Sequence, residues 1–151
     1  MMSMDRVRAL LITSANELLT IKRIRPDGQS YWVLPGGGVD PGDATPEAAL
    51  VRELREELVA AIDIHSLVHV VEQGERREFV YLARVSRWSF ADRYGPEFSD
   101  PERGEYHLEM LPLTAEKIGS VDIKPDEVRE LVLHALHRGI DLFELPDLRL
   151  T

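Results

Sequence analysis

The stretch that decides the fold runs from residue 34 to residue 57 and reads LPGGGVDPGDATPEAALVRELREE. A proline and three glycines come first, a composition that ends a strand and predicts a loop. Thr45 can accept a backbone hydrogen bond as an N-cap, and Pro46 suits the first position of a helix. The stretch therefore predicts a glycine-rich loop followed by a helix that ends near Val59.

Three glutamates share one arc of this predicted helix. At 100° per residue, Glu53, Glu56 and Glu57 fall within about 100° of one another, and an apolar arc with Leu54 lies beside them. Like charges at this spacing destabilise a helix by roughly 0.2–0.5 kcal/mol per pair. Divalent cations would reverse that effect, because carboxylates are hard oxygen ligands suited to Mg²⁺ or Mn²⁺. The alternative is a solvated acidic face with no ligand.

The flanking sequence predicts strands on both sides of the helix and a second helix near the end. Apolar, β-branched runs predict two hairpins, and the strand pattern is bounded by turn residues. The predicted strands cover residues 6–13, 18–24, 31–34, 62–72, 78–88 and 106–111. A helix begins at Pro125 and ends at Gly139, and residues 91–104 look like a functional or mobile loop. This order predicts an α/β fold, with a mixed sheet between helices.

Composition narrows the class of protein. The chain has 151 residues, of which 44% are hydrophobic and 30% charged, as expected for a single domain over residues 1–151. It has no cysteine, which excludes disulfides and thiolate sites. The formal charge of −9 argues against a nucleic acid polymer as partner. No apolar run is long enough to span a membrane, and we expect a cytoplasmic protein.

Together, the glycine stretch and the sequence Arg52-Glu53-Leu54-Arg55-Glu56-Glu57 resemble the Nudix hydrolase family. The signature of that family ends in Arg-Glu-aliphatic-x-Glu-Glu-x-Gly, and the match covers the arginine, the aliphatic residue and all three glutamates. Aligning Gly37 with the first motif glycine places Asp43 at the motif glutamate and leaves Ala44 as an insertion. We prefer this to the alignment on Gly38, which would place Ala44 there. Val59 replaces the later motif glycine.

The resemblance implies an α/β/α sandwich that hydrolyses a nucleoside diphosphate linked to another group. It implies that Glu53, Glu56 and Glu57 bind Mg²⁺ or Mn²⁺, with one of them a candidate for the general base as well. A backbone carbonyl of Gly37 or Gly38 would be a further metal ligand. Carried over residue by residue, the catalytic set is Arg52, Glu53, Glu56 and Glu57. In the family the motif glutamate pairs with the arginine, a role that Asp43 would take here.

Residues outside the motif complete the set of candidates. Arg23 could bind phosphate through its planar guanidinium group, although an exposed strand charge is an equal alternative. Glu102, Glu105 and Glu109 are candidates for an additional base or metal ligand, although for each of them an ordinary surface acid is the favoured interpretation. A base-stacking residue could come from the aromatic side chains, most of which should be core. These are Tyr31, Trp32, Phe79, Tyr81, Tyr94 and Phe98.

The substrate remains open at this stage. A small-molecule nucleotide is expected, with a nucleoside triphosphate such as an oxidised dGTP as the first choice. ADP-ribose or a nucleotide sugar is the second. Two alternatives from other classes are a catalytically silent domain that senses a nucleotide and an acidic protein-interaction module. The resemblance also leaves a homodimer open.

Overall fold

The computed structural model describes residues 5–89 and 104–150, which form eight strands, three α-helices and two short 3-10 helices. The strands are β1 (Arg6–Ile12), β2 (Glu17–Ile24), β3 (Ser30–Val33), β4 (Gly36–Gly38), β5 (Ala61–Gln73), β6 (Arg76–Arg87), β7 (Glu105–Pro112) and β8 (Ile123–Lys124). The helices are α1 (Pro46–Leu58), α2 (Ala115–Gly119) and α3 (Asp126–His137), and the 3-10 helices are Leu142–Glu144 and Leu148–Leu150.

All eight strands belong to one mixed sheet. The hydrogen-bonded order is β5-β6-β1-β2-β3-β8, with β4 paired to β1 and β7 paired to β2. The β1–β6 and β3–β8 pairs are parallel and the other pairs are antiparallel. Both predicted hairpins, β1–β2 and β5–β6, are present, so these predictions and that of a mixed sheet are confirmed.

Helices cover both faces of the sheet, and strand β1 shows why. Leu10 and Ile12 point to a core formed with α2 and α3, whereas Val7, Ala9 and Leu11 point to a core formed with α1. A strand with apolar residues on both faces must be covered on both faces, because either face would otherwise expose apolar surface to water. The predicted α/β/α arrangement is therefore confirmed.

Helix α1 begins and ends where the sequence predicts. The Thr45 hydroxyl accepts a hydrogen bond from the backbone nitrogen of Ala48 at 3.0 Å, and Pro46 is the first helical residue. Leu58 is the last helical residue, and the next residue, Val59, has left-handed backbone angles. Three leucines and an alanine on one side of α1 are buried against the sheet. The arc that carries the glutamates consequently faces the edge of the sheet at β4.

Three features differ from the predictions. The glycines of residues 36–38 form strand β4 rather than a loop, because the first half of β1 is not paired with β2 and offers its backbone to them. At Gly36 a side chain would collide with the backbone of Val7, so only glycine allows this close pairing. The short elements β8 and α2 were not predicted, since so few residues show no periodicity.

Most of the predicted loop over residues 91–104 lies outside the described residues, as do Glu102, Tyr94 and Phe98. Within the described ranges, no helix is both long and apolar enough to cross a membrane.

Candidate active site

Two glutamates of α1 lie directly against the glycine strand β4. The Glu53 carboxylate occupies the space beside Gly37 that a side chain would fill, so that a Cβ atom there would overlap it. The Glu57 carboxylate accepts a hydrogen bond from the backbone nitrogen of Gly36 at 3.3 Å. Close contact between a helix and a strand is possible here because the strand carries no side chains. The glycines therefore fix the position of both carboxylates.

Arg52 ties the loop after β4 to the helix. Its Nε and Nη2 atoms donate to the two carboxylate oxygens of Asp43 at 3.0 and 2.9 Å, and Nη2 also donates to the Gly38 carbonyl at 3.0 Å. This two-pronged contact holds the pKa of the Asp43 carboxyl below its usual range and raises that of Arg52. Asp43 thus makes the brace that the alignment on Gly37 predicts, although its side chain is one methylene shorter than that of glutamate.

The same arginine contacts two of the glutamates. Its Nη1 atom lies 3.2 Å from Oε1 of Glu53 and 3.4 Å from Oε2 of Glu56. Burial raises the pKa of the Glu53 carboxyl, Arg52 opposes that shift, and the nearby Glu56 adds to it. The side chain of Glu56 is 62% exposed. Glu53 is therefore the partly buried acid of the group, and Glu56 the solvated one.

Glu53 and Glu57 open into a cleft of about 350 Å³ at the edge of the sheet. The cleft also contains Arg6, Arg8 and Arg23, so its ionisable lining has three cations and two carboxylates in a chain whose net charge is −9. The whole lining is Arg6, Arg8, Ile21, Arg23, Val33, Leu34, Gly36, Gly37, Gly38, Glu53, Glu57 and Tyr106. Other depressions of similar size lie elsewhere on the surface, but they do not contain the motif residues. A cationic cleft with carboxylates at one wall suits a phosphate ligand that is bound together with a cation.

Arg23 lies in the cleft, as its predicted role in phosphate binding requires. Its guanidinium group stacks over the ring of Tyr106 at 4.5 Å and lies 5.5 Å from the ring of Tyr31. It also donates a hydrogen bond to the Tyr106 hydroxyl. Cation–π contacts and this hydrogen bond hold the guanidinium group in one orientation. Arg23 is therefore a positioned cation rather than a freely rotating surface charge.

The structure brings some of the predicted residues together and leaves others apart. Gly37, Gly38, Glu53, Glu57 and Arg23 line the cleft, whereas Glu56 is outside its lining. Glu105 and Glu109 also lie outside the lining, and Glu102 is not among the described residues.

Sequence reasoning missed Arg6, Arg8 and Tyr106, all of which line the cleft. The first two carry a signal that could have been used. Arg6 and Arg8 flank buried Val7 at the start of strand β1. Their side chains therefore lie together on the face of the sheet opposite to that of Val7. Tyr106 carries no comparable signal, because its place in the cleft depends on the pairing of β7 with β2.

The donor atoms of the site fit a hard divalent cation. Carboxylate oxygens of Glu53 and Glu57 and backbone groups of the glycine strand meet at the cleft, with no thiolate or imidazole in its lining. Within residues 5–89 and 104–150, no three carboxylate or imidazole side chains stand close enough to enclose a metal ion by themselves. A cation here would thus need oxygen atoms from backbone, solvent or substrate as well.

Comparison with known proteins agrees with this geometry. The human 8-oxo-dGDP phosphatase NUDT18 is 34% identical over 79 residues, which are 52% of this chain and 24% of that protein. An RNA pyrophosphohydrolase of Acidiphilium cryptum (strain JF-5) is 44% identical over 56 residues, 36% of this chain and 34% of that protein. The chain thus spans about a quarter to a third of the length of these curated relatives.

Solved structures support the same fold. The solution structure of the E. coli ORF135 protein superposes with a TM-score of 0.56 at 23% identity, over 89% of this chain and 88% of that one. The model of the NUDIX domain matches residues 2–138, which include every element from β1 to α3 and the whole cleft. On that match, the chain belongs to the Nudix family.

Proposed function

We propose that this protein is a metal-dependent hydrolase that cleaves a phosphoanhydride bond in a nucleoside diphosphate linked to another group. The observation that carries the proposal is the placement of the Glu53 and Glu57 carboxylates on the glycine strand, inside a cleft that also holds three arginines. Negative and positive groups face one another across that cleft. Such an arrangement can bind an anionic substrate and a divalent cation at the same time.

The reaction adds water to one phosphorus while the bridging P–O bond breaks, giving two phosphate products and a proton. Mg²⁺ or Mn²⁺, which Nudix hydrolases generally use, would neutralise the charge that builds on the phosphate oxygens. Glu53 and Glu57 would hold the cation, together with a carbonyl of Gly37 or Gly38. The exposed side chain of Glu56 would have to turn toward the cleft to join them. Through its contact with Asp43, Arg52 holds the loop after β4 against helix α1. Arg23 would contact the phosphates.

The relatives support the class of bond and leave the substrate open. One is an 8-oxo-dGDP phosphatase and the other an RNA pyrophosphohydrolase, so the two act on different molecules. A nucleoside triphosphate, for example an oxidised dGTP, is our first choice. ADP-ribose or a nucleotide sugar is the second.

The test is a screen of the purified protein with Mg²⁺ and with Mn²⁺. The substrates are nucleoside triphosphates including 8-oxo-dGTP, ADP-ribose, nucleotide sugars and dinucleoside polyphosphates, and the products are identified by mass. We expect hydrolysis that stops when the cation is chelated. Tight nucleotide binding with no turnover across the panel would instead support a nucleotide sensor, and no binding at all would support an interaction module.

A further inference from the structure

Arg6 lines the same cleft as the glutamates Glu53 and Glu57. In the sheet it stands between Gly38 of β4 and Glu78 of β6. Its side chain shares a face with Leu10 and Ile12, whereas α1 with Glu53 covers the other face. Residues from both faces line the cleft, next to the three-residue strand β4 that pairs with β1.

The Nε atom of Arg6 is buried and has no hydrogen-bond partner among the described residues. Neighbouring Arg8, by contrast, donates to the carboxylate of Glu78 and to the carbonyl of Leu34. A buried donor without an acceptor costs about 1–3 kcal/mol, and more when it belongs to a charged group. The folded protein therefore contains an unsatisfied guanidinium donor at Arg6, which an anion could satisfy.

The charges around Arg6 favour the binding of an anion beside it. Burial lowers its pKa, and the nearby cations Arg8 and Arg76 lower it further, yet arginine stays charged at neutral pH. The two acids whose charges act on Arg6 are already engaged, since Glu78 pairs with Arg8 and Glu53 pairs with Arg52. The cleft thus contains a cation whose charge is not balanced by a direct ion pair.

We propose that Arg6 binds a terminal phosphate of the substrate, so that the cleft prefers nucleoside polyphosphates to nucleotides whose second phosphate carries a sugar. The proposal rests on the function proposed above for the choice of ligand class. A free terminal phosphate carries more negative charge than a phosphodiester and offers three oxygens to the guanidinium fork. A phosphate that carries a sugar has one negative charge and two non-bridging oxygens, and is therefore a weaker partner for the guanidinium group.

The experiment measures binding by titration calorimetry in Mg²⁺. The main probe is a nucleoside triphosphate analogue with methylene groups in place of both bridging oxygens, and the reference probe is an ADP-ribose analogue with a methylene group in place of its bridging oxygen. Arg6→Met keeps the length of the side chain, and Arg6→Lys keeps its charge. Exposed Arg55, on α1 and outside the cleft lining, supplies the control variant Arg55→Met. Thermal melting of each variant is recorded in the absence of ligand.

We expect Arg6→Met to weaken binding of the triphosphate analogue by about 10- to 100-fold, the range for a hydrogen bond to a charged group. Arg6→Lys should weaken binding of the triphosphate analogue less, and affinity for the ADP-ribose analogue should change by less than about threefold. The melting temperature of Arg6→Met should equal or exceed that of the wild type, because the buried Nε has no hydrogen bond to lose. Arg55→Met should bind both probes as the wild type does.

Three results would overturn the proposal: unchanged affinity of Arg6→Met for the triphosphate analogue, an equal loss of affinity for the ADP-ribose analogue, or a melting temperature clearly below that of the wild type. The last would show that Arg6 has a structural role. The assay needs no turnover. A protein that binds the triphosphate analogue through Arg6 and hydrolyses nothing would contradict the proposed hydrolase and leave this inference intact.

Discussion

The two long helices cover opposite faces of one sheet, yet they differ in how well they follow local rules. In α3 the acids Asp126 and Glu127 are in the first turn, while His134 and His137 are in the last. The acids at its start agree with the helix dipole, which favours anions there. In α1 two glutamates occupy the last turn, where the dipole opposes them.

The ends of the two helices show the same contrast. After α3 the left-handed backbone position is filled by Gly139, with φ of 66°, whereas after α1 it is filled by Val59, with φ of 49°. A left-handed conformation costs an L-residue about 1–2 kcal/mol, and β-branched residues are among the least suited to it.

This difference shows that local helix stability is lower in α1 than in α3. Helix α3 only has to cover a core, so nothing prevents it from being locally well formed. In α1, the unfavourable last turn carries the glutamates of the motif, with Glu57 in the cleft. Departures from local preference are expected at functional sites. Each of the following changes tests whether α1 is unusual because of the cleft.

The largest effect is expected from Glu53→Gln. It should lower kcat by about 10²–10⁴-fold on the substrate found in the screen, because it removes a carboxylate charge while keeping the size of the side chain. The melting temperature should not fall, since a partly buried charge beside Glu56 is lost. The matched control is Glu130→Gln on α3, whose side chain is 68% exposed and pairs with Arg129. Equal activity of the two variants would show that Glu53 of α1 is no more important for catalysis than Glu130 of α3.

Gly37→Ala should have the next largest effect. Its methyl group would overlap the Glu53 carboxylate, which is the flexible end of a side chain and can move away. We expect kcat/KM to fall by about 10²-fold, as for other small displacements of a catalytic group, with little change in melting temperature. Gly42→Ala is the control, because a methyl group there meets nothing within 4 Å. Wild-type kcat/KM in Gly37→Ala would show that the position of Glu53 does not matter.

Asp43→Asn should change the dependence of stability on pH. Because Arg52 lowers the pKa of Asp43, the ionised carboxylate stabilises the fold above its unfolded pKa of about 3.9. That contribution is lost as the pH falls through the lower, folded pKa. Asp43→Asn should therefore melt below the wild type at neutral pH, and the difference should shrink in acid. Asp63→Asn, at an exposed position of β5, is the control. A difference that stays constant with pH would contradict the brace.

The smallest effects are expected from exchanging the residues that end the two helices. Val59→Gly should stabilise the protein by about 0.5–1 kcal/mol, since relief of the left-handed strain exceeds the entropy that glycine adds to the unfolded state. Gly139→Val should destabilise it by about 1–2 kcal/mol for the opposite reason. Both are measured by denaturant unfolding, with activity unchanged. If Val59→Gly destabilised the fold, the side chain of Val59, which is 47% exposed, would be contributing more than its conformation costs.

Much of the fold was predictable because its signals are local. The N-cap of α1 needs only Thr45, the apolar stripe of α3 needs only its own spacing, and the first hairpin needs two runs and the turn between them. The motif predicted which glutamates to examine, because a helix of known period places Glu53 and Glu57 on one arc. Strand β8 escaped prediction because two residues define no period.

The cleft was not predictable in the same way, because it is made by contacts between residues far apart in the sequence. No pattern near Gly37 shows that it forms a strand with Val7, or that Glu53 fills the space left by its missing side chain. The face of the sheet on which Arg6 lies follows from the strand period, but its place in one cleft with the glutamates depends on the pairing of β1 with β4.

The sequence by itself therefore determined most of the elements and the acidic helix arc, but not β4, β8 or α2. The tertiary structure alone decided that Glu57 and Arg6 share one cleft while Glu56 remains outside it. The physical reason is that periodicity fixes the face on which a side chain lies, whereas only strand register fixes which faces meet.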